Sequence, residues 1–203
     1  MPSTMQRLNT ELASVVETAK RSLVQVHNGG RGVGAGTIWH PEGLIVTNAH
    51  VVSGRTGSLR VTLPDGSTLP ARLLARDEDR DVAALVVEAV DLPTIDVGKS
   101  RDLSPGQWVM ALGHPWGVRG AVTAGVVIGV GSTWPEMPQG GREWITAALH
   151  LRPGHSGGPL IDVDGRLVGI NTMMTGPDMG MAIPVHEVKV FLRDTVGSQR
   201  RVA

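Results

Sequence analysis

The 203-residue chain has no cysteine, no tyrosine and a single phenylalanine. The absence of cysteine excludes disulfide staples, thiolate catalysis and cysteine-ligated zinc. Five tryptophans and the one phenylalanine make up all the aromatics, so a core must be built from Val, Leu, Ile, Ala and Met. An excess of either charge is also missing: 19 basic and 19 acidic residues give a formal net charge of zero. A neutral chain offers no electrostatic footprint for nucleic acid or an anionic membrane. No run approaches the roughly 20 apolar residues that a membrane span requires. Behind Met1-Pro2-Ser3-Thr4-Met5-Gln6-Arg7 there is no apolar stretch. No secretory signal is read there, and the expectation is a cytoplasmic protein or one that begins after processing.

What is present is the composition of a folded chain, 41% hydrophobic and 19% charged. Its most specific stretch is Gly154-His155-Ser156-Gly157-Gly158-Pro159-Leu160. A serine among glycines can place its hydroxyl beside backbone N–H groups that no side chain obstructs. Such N–H groups can receive the negative charge that develops on a carbonyl oxygen under attack. A serine hydroxyl is a weak nucleophile alone and needs a base, which in turn needs a group to orient it. The candidate base is His50, at the end of the apolar run Ile45-Val46-Thr47-Asn48-Ala49-His50. The candidate orienter is Asp81, which abuts the apolar run Val82–Val87, with Asp77 and Asp79 as close rivals. Each piece alone is a common turn, a packed histidine or a solvated loop charge. Their co-occurrence in the order His, Asp, Ser points to a nucleophilic triad, with Gly154, His155 and Ser156 framing an oxyanion hole.

These segments resemble those of trypsin-like serine proteases, in particular the HtrA/Deg branch, from about Ser22 to about Val190. Gly34-Ala35-Gly36-Thr37-Ile38 and Gly43-Leu44-Ile45-Val46-Thr47-Asn48-Ala49-His50-Val51-Val52 are similar to that branch's first-barrel signature. Ala111-Leu112-Gly113-His114-Pro115-Trp116-Gly117 and Val122–Val127 resemble the start of its second barrel, and Gly169-Ile170-Asn171-Thr172 with Met181-Ala182-Ile183-Pro184 its closing strands. The resemblance implies an endopeptidase acting on unfolded or damaged proteins, without a cofactor. A latent or chaperone-like peptide-binding module that keeps the triad is the alternative. The chain departs from the branch at His155, where asparagine is usual, at Ala148, where an acid is usual, at Leu151-Arg152 and at Met181. No peptide-binding PDZ domain of that branch is expected within these 203 residues. The resemblance also implies a homo-oligomer, a trimer joined through N-terminal segments, although Met1 to Gly36 carries no aromatic side chain that could serve such a contact.

The resemblance implies an all-β fold, two antiparallel six-stranded β-barrels with N-terminal and C-terminal helices. Short strands punctuated by Gly and Pro agree with it. Residues 1–21 are assigned to an amphipathic helix, with Leu8, Leu12, Val15, Val16 and Ala19 on one stripe and Ser3 and Gln6 at capping-box spacing. Residues 22–98 are assigned to the first barrel, 99–190 to the second, and 184–196 to a closing helix that overlaps its end. The expected strands are Leu23–Val26, Gly36–Trp39, Leu44–Asn48, Leu59–Thr62, Thr68–Ala75 and Val82–Val87, then Trp108–Leu112, Ala121–Val130, Trp144–Ala148, Pro159–Ile161, Leu167–Thr172 and Gly180–Ile183. Pro184 is expected in the first turn of the closing helix, with Val185, Val188, Phe191 and Leu192 on its buried side.

In the trypsin-like fold the residue six before the serine lies near the floor of the primary pocket, which is His150 here. Leu151, Thr172, Met173 and Met174 are expected around it. With no acid at the floor, small to medium apolar residues are the expected preference, since an unpaired buried Lys or Arg would be costly. Three other patterns are set aside. Gly30-Arg31-Gly32-Val33-Gly34-Ala35 fits a dinucleotide fingerprint, but a Pro-Glu-Gly turn follows where that motif needs a helix. Gly98-Lys99-Ser100 ends like a phosphate loop, but Pro93 stands where its first glycine must be. None of the seven histidines has HExxH spacing, so no metal is expected.

Overall fold

The computed structural model describes residues 2–29, 33–53, 59–132 and 142–199. Helix α1 runs over Thr4–Lys20. Ser3 caps it: its hydroxyl accepts from the Gln6 N–H (3.2 Å), and the Gln6 side-chain oxygen accepts from the Ser3 N–H (2.7 Å). Val16 and Ala19 are buried and Leu12 and Val15 pack on the core, but Leu8 at the outer end of the stripe is exposed.

Among the described residues, twelve strands form two closed barrels. The first contains β1 (Leu23–His27), β2 (Val33–His40), β3 (Leu44–Thr47), β4 (Arg60–Thr62), β5 (Thr68–Asp77) and β6 (Val82–Val87). The second contains β7 (Trp108–Gly113), β8 (Ala121–Gly131), β9 (Trp144–Ala148), β10 (Pro159–Asp162), β11 (Leu167–Thr175) and β12 (Met179–Pro184). Around the first the strand order is β1-β2-β3-β6-β5-β4, and around the second the same order recurs as β7-β8-β9-β12-β11-β10, every ladder antiparallel. Closure leaves no free sheet edge. The strands that extend furthest past their expected bounds are β2, which begins at Val33, and β11, which continues through Met173 and Met174 to Thr175. Of the set-aside glycine pattern, residues 30–32 lie outside the described residues, while Gly34 and Ala35 are strand.

Each barrel has its own aliphatic core, Val24, Val26, Ile38, Ile45 and Leu85 in the first and Val109, Ala111, Val127, Ile145 and Leu160 in the second. A third cluster, including Val46, Leu112, Trp144, Ile170 and Phe191, joins the barrels to the helices. Helix α2 (Val185–Gln199) contributes Val185, Val188, Phe191 and Leu192 to it, as its periodicity requires. Pro184 is not helical but ends β12, paired with Gly169. Burying Phe191 alone contributes about 2–3 kcal/mol.

Candidate functional site

The site forms where the ends of β3, β6 and β11 meet the loop between β9 and β10. β3 ends at Thr47, and His50 opens a short 3₁₀ turn, His50–Val52, that lifts its ring out of the sheet. Asp81 immediately precedes β6 and holds the left-handed backbone conformation, with φ +53°. Non-glycine residues reach that region only when their surroundings enforce it. Here the Asp81 carbonyl is held by the Ala49 N–H (3.1 Å) and the Asn48 side-chain amide (3.0 Å). Its carboxylate is thereby turned onto His50: Oδ1 accepts from the His50 backbone N–H at 3.0 Å, and both oxygens lie 2.9–3.0 Å from His50 Nδ1. The rival Asp77 is occupied by Arg80 (2.7 Å), and Asp79 is exposed. The carboxylate that reaches the imidazole is therefore that of Asp81.

Ser156 lies in the second barrel's loop, fastened to the first by the Ala35 N–H, which donates to the Ser156 carbonyl at 2.8 Å. Glycine is required at Gly157, where φ is +87° and a Cβ would collide with the Ala35 carbonyl and the Thr47 hydroxyl. The Ser156 hydroxyl donates to the Thr172 carbonyl at 2.8 Å. Among the described residues no hydrogen bond joins Ser156 to His50, so the structure brings His50 and Asp81 together and leaves the serine hydroxyl parked on β11.

The loop before the serine is a β-turn over Arg152–His155, closed by the His155 N–H on the Arg152 carbonyl (2.9 Å). Gly154 occupies its third position with φ +108°, the sign that distinguishes type II from type I and sets which way the central peptide faces. The Gly154 carbonyl is anchored by the His114 N–H at 2.8 Å. The N–H groups of His155, Gly157 and Gly158 donate to the carbonyls of Arg152, Asn171 and His155. Those of Gly154 and Ser156 donate to no protein acceptor among the described residues. Two unclaimed donors thus flank the serine.

His155 is buried beneath this turn, with Nδ1 3.1 Å from both the N and the O of Arg152. Burial lowers its pKa, and burial followed by the nearby Arg119 charge lowers that of His114 to about 4. Both rings are therefore neutral at pH 7. Above the turn, the Arg152 guanidinium stacks 5.3 Å from the ring centroid of exposed Trp116.

The residues expected around the primary pocket separate into three groups. Leu151 and Met174 meet: the Leu151 N–H points at the Met174 sulfur, 3.1 Å away. Met173 is exposed, and His150 is half-exposed, with Nδ1 4.0 Å from an Asp178 carboxylate oxygen. Thr172 is buried, and its hydroxyl faces Asn48 (2.7 Å) and the Asp81 carboxylate (3.4 Å). A register shift in the β11–β12 ladder falls at Thr172, between Asn171 and Met173. Asn48 was legible only as a polar residue interrupting an apolar strand end two positions before the histidine.

Glu143, His186 and Glu187 bring carboxylate and imidazole atoms within 4.8 Å of one another. His186 is already satisfied there without an ion, by Ser100 (2.8 Å) and Glu143 (2.8 Å). Among the described residues no helix is long and apolar enough to cross a membrane.

Residues 34–170 match the family of trypsin-like peptidase domains. The chain is 38% identical over 159 residues to the putative serine protease HhoB of Synechocystis sp., a match covering 76% of this chain and 38% of that protein. It is 41% identical over 163 residues to a probable periplasmic serine endoprotease, DegP-like, of Halomonas elongata, covering 76% and 33%. To the mitochondrial serine protease HTRA2 of Drosophila virilis it is 36% identical over 171 residues, covering 83% and 41%. The matched region therefore spans about a third to two fifths of these relatives. Among solved structures, the HtrA-type protease AlgW with a tripeptide superposes with a TM-score of 0.82 at 29% identity, covering 90% of this chain and 62% of that one.

Proposed function

Since the chain belongs to the trypsin-like peptidase domain family, we propose that it is an HtrA-type serine endopeptidase that cleaves peptide bonds through Ser156, His50 and Asp81. The observation that carries this reading is the Asp81 carboxylate closed on both the backbone N–H and the Nδ1 of His50. An acceptor at Nδ1 selects the tautomer that leaves Nε2 free as a base. The Ser156 hydroxyl leaves the Thr172 carbonyl, gives its proton to Nε2, and its oxygen attacks the scissile carbonyl carbon. The carbonyl electron pair moves onto oxygen and is received by the Gly154 and Ser156 N–H groups, with His155 shaping the turn between them. Collapse of that intermediate expels the amine, which takes the proton from the imidazolium. Water then gives its proton to the same imidazole and attacks the acyl carbon, and the imidazolium returns that proton to the departing Ser156 oxygen as the new carboxyl terminus is released.

Unfolded or damaged polypeptides are the proposed substrates, cut after small to medium apolar residues. Leu151 and Met174 supply apolar contact there, and a thioether adapts its shape readily. A homotrimer joined through the N-terminal segment belongs to the same proposal and is read from the mass in solution. The deciding experiment is fluorophosphonate treatment, mapping of the adduct by mass spectrometry, and a parallel casein assay. One adduct at Ser156 with matching loss of casein cleavage is expected. Failure of Ser156 to react, or cleavage that survives in Ser156→Ala, overturns the assignment.

A further inference from the structure

We infer that Asn48 is a positioning residue that spans the two barrels and aims both the Asp81 backbone and the Thr172 hydroxyl at the His50 pair. The inference rests on the serine-protease reading. The Asn48 side chain is fully buried, and its Nδ2 lies 3.0 Å from the Asp81 carbonyl oxygen and 2.7 Å from Thr172 Oγ1. A carbonyl oxygen can only accept, so the atom facing Asp81 must be the amide nitrogen. That nitrogen has two hydrogens, and the second one points to Thr172. The Thr172 oxygen is then an acceptor toward Asn48, which leaves its own O–H to donate to Asp81 Oδ2, 3.4 Å away. The direction of this chain of bonds is set at Asn48: amide to hydroxyl, hydroxyl to carboxylate, carboxylate to imidazole.

The cost of this arrangement is visible in the same side chain. The Asn48 Oδ1 is buried with no hydrogen-bond partner among the described residues. Buried polar atoms are normally paired. Flipping the amide would press Oδ1 against the Asp81 carbonyl, so the orientation that serves Asp81 persists although it strands an oxygen. Together with the Ala49 N–H, the same amide holds the carbonyl of a residue at φ +53°. Because Asn48 belongs to the first barrel and Thr172 to the second, the contact also fixes the β11 backbone, whose Thr172 carbonyl receives the Ser156 hydroxyl.

Asn48→Asp keeps the shape and removes both donors, while Thr172→Val and Thr172→Ser remove and retain the hydroxyl. Two readouts apply, taken well below each variant's unfolding temperature. The first is the proton NMR resonance of His50 Nδ1–H, which needs no turnover. The second is kcat and KM on a peptide substrate, per site titrated with fluorophosphonate. Thr172→Val, which removes a hydrogen bond to the charged Asp81 carboxylate, is expected to move the His50 resonance and lower kcat about 10- to 100-fold. Asn48→Asp, which removes the donors to the Asp81 carbonyl and the Thr172 hydroxyl together, is expected to do at least as much. KM should change little, and Thr172→Ser should restore most of kcat. A His50 resonance unmoved in both Asn48→Asp and Thr172→Val overturns the inference, whether or not the protein cleaves peptides. Failure of the protease reading shows separately, as a wild-type protein that neither labels nor cleaves. If Asn48→Asp does not fold, the Thr172 pair decides: equal kcat in Thr172→Val and Thr172→Ser overturns the inference.

Discussion

On the first-barrel side of the site, Asp81 has little bonding capacity left unused. Its carbonyl takes two donors, and its carboxylate takes the His50 N–H, the His50 ring and the Thr172 hydroxyl. On the second-barrel side, the turn Arg152–His155 pairs alternate N–H groups and leaves those of Gly154 and Ser156 unclaimed, with the Ser156 hydroxyl resting on a carbonyl rather than on His50. The first half has to hold one carboxylate and one imidazole in one geometry, so closure stabilises it. The second half has to receive charge that exists only during reaction, so its donors must stay open. Open donors are supported only indirectly, by Gly154 φ and the His114 anchor, and this side is therefore where activity should be easiest to lose without unfolding.

The largest effect should come from the one atom both halves serve. Ser156→Ala is expected to lower kcat by about six orders of magnitude, if the three groups act as a unit. Circular dichroism and unfolding temperature should stay near wild type; more than a few per cent residual peptidase activity in a clean preparation would contradict the assignment.

Next, on the closed side, Asp81→Asn should cost about four orders of magnitude in kcat by favouring the wrong imidazole tautomer. Asp79→Asn, at an exposed position, should be nearly silent. Equal losses in the two variants would mean that the carboxylate geometry at His50 is not what matters.

For the open side, Gly154→Ala forces a side chain into φ +108° against the His114 carbonyl. The turn should reorient and withdraw a donor, lowering kcat about 10²- to 10³-fold. Fluorophosphonate labelling should slow in parallel while His50 Nδ1–H keeps its resonance. If that resonance moves as much as the rate does, the two halves are not separable.

The open side should also be the acid-sensitive one. His114 is buried and titrates near 4 when folded, against a reference of 6.5. A group whose folded pKa is depressed in this way binds protons more readily in the unfolded chain between those values. Its stability contribution is complete above about pH 6.5, declines as pH falls, and is gone near pH 4, a loss of about 3 kcal/mol. His155, also lowered by burial, adds in the same direction. Urea unfolding at pH 7 and pH 4 should show this loss, and His114→Gln should flatten it; an unchanged slope would place the acid sensitivity elsewhere.

The smallest effect concerns Arg152, stacked on exposed Trp116. An exposed cation–π contact contributes about 0.5–1 kcal/mol, so Arg152→Ala should lower kcat/KM only a few-fold. A loss matching that of Gly154→Ala would show that the stack, not the glycine, orients the turn.

Much of this molecule is legible in residue patterns. The glycines around Ser156 mark a tight turn, Val82–Val87 reads as a buried strand, and Val185, Val188, Phe191 and Leu192 mark the inner face of α2. Each is a local property, set by backbone sterics or by the period of apolar residues. Longer-range placements were harder to read. Nothing in the local pattern shows that the Thr172 hydroxyl turns toward Asp81, at a one-residue register shift in the β11–β12 ladder. Nor does it show that His150 comes to lie beside Asp178, 28 positions along the chain.

By itself, then, the sequence determined the chemistry on offer and the order in which the chain presents it: histidine, aspartate, serine, no thiol, no excess charge, and short strands that must close on themselves. Only the tertiary structure decided which aspartate reaches His50, that one strand order is used twice, and that Asn48 couples the barrels. The reason is physical. Strand formation and turn geometry depend on neighbours a few residues away. Barrel closure brings Asn48 to Thr172, 124 positions apart, through ladder registers in which a single-residue shift redirects a side chain.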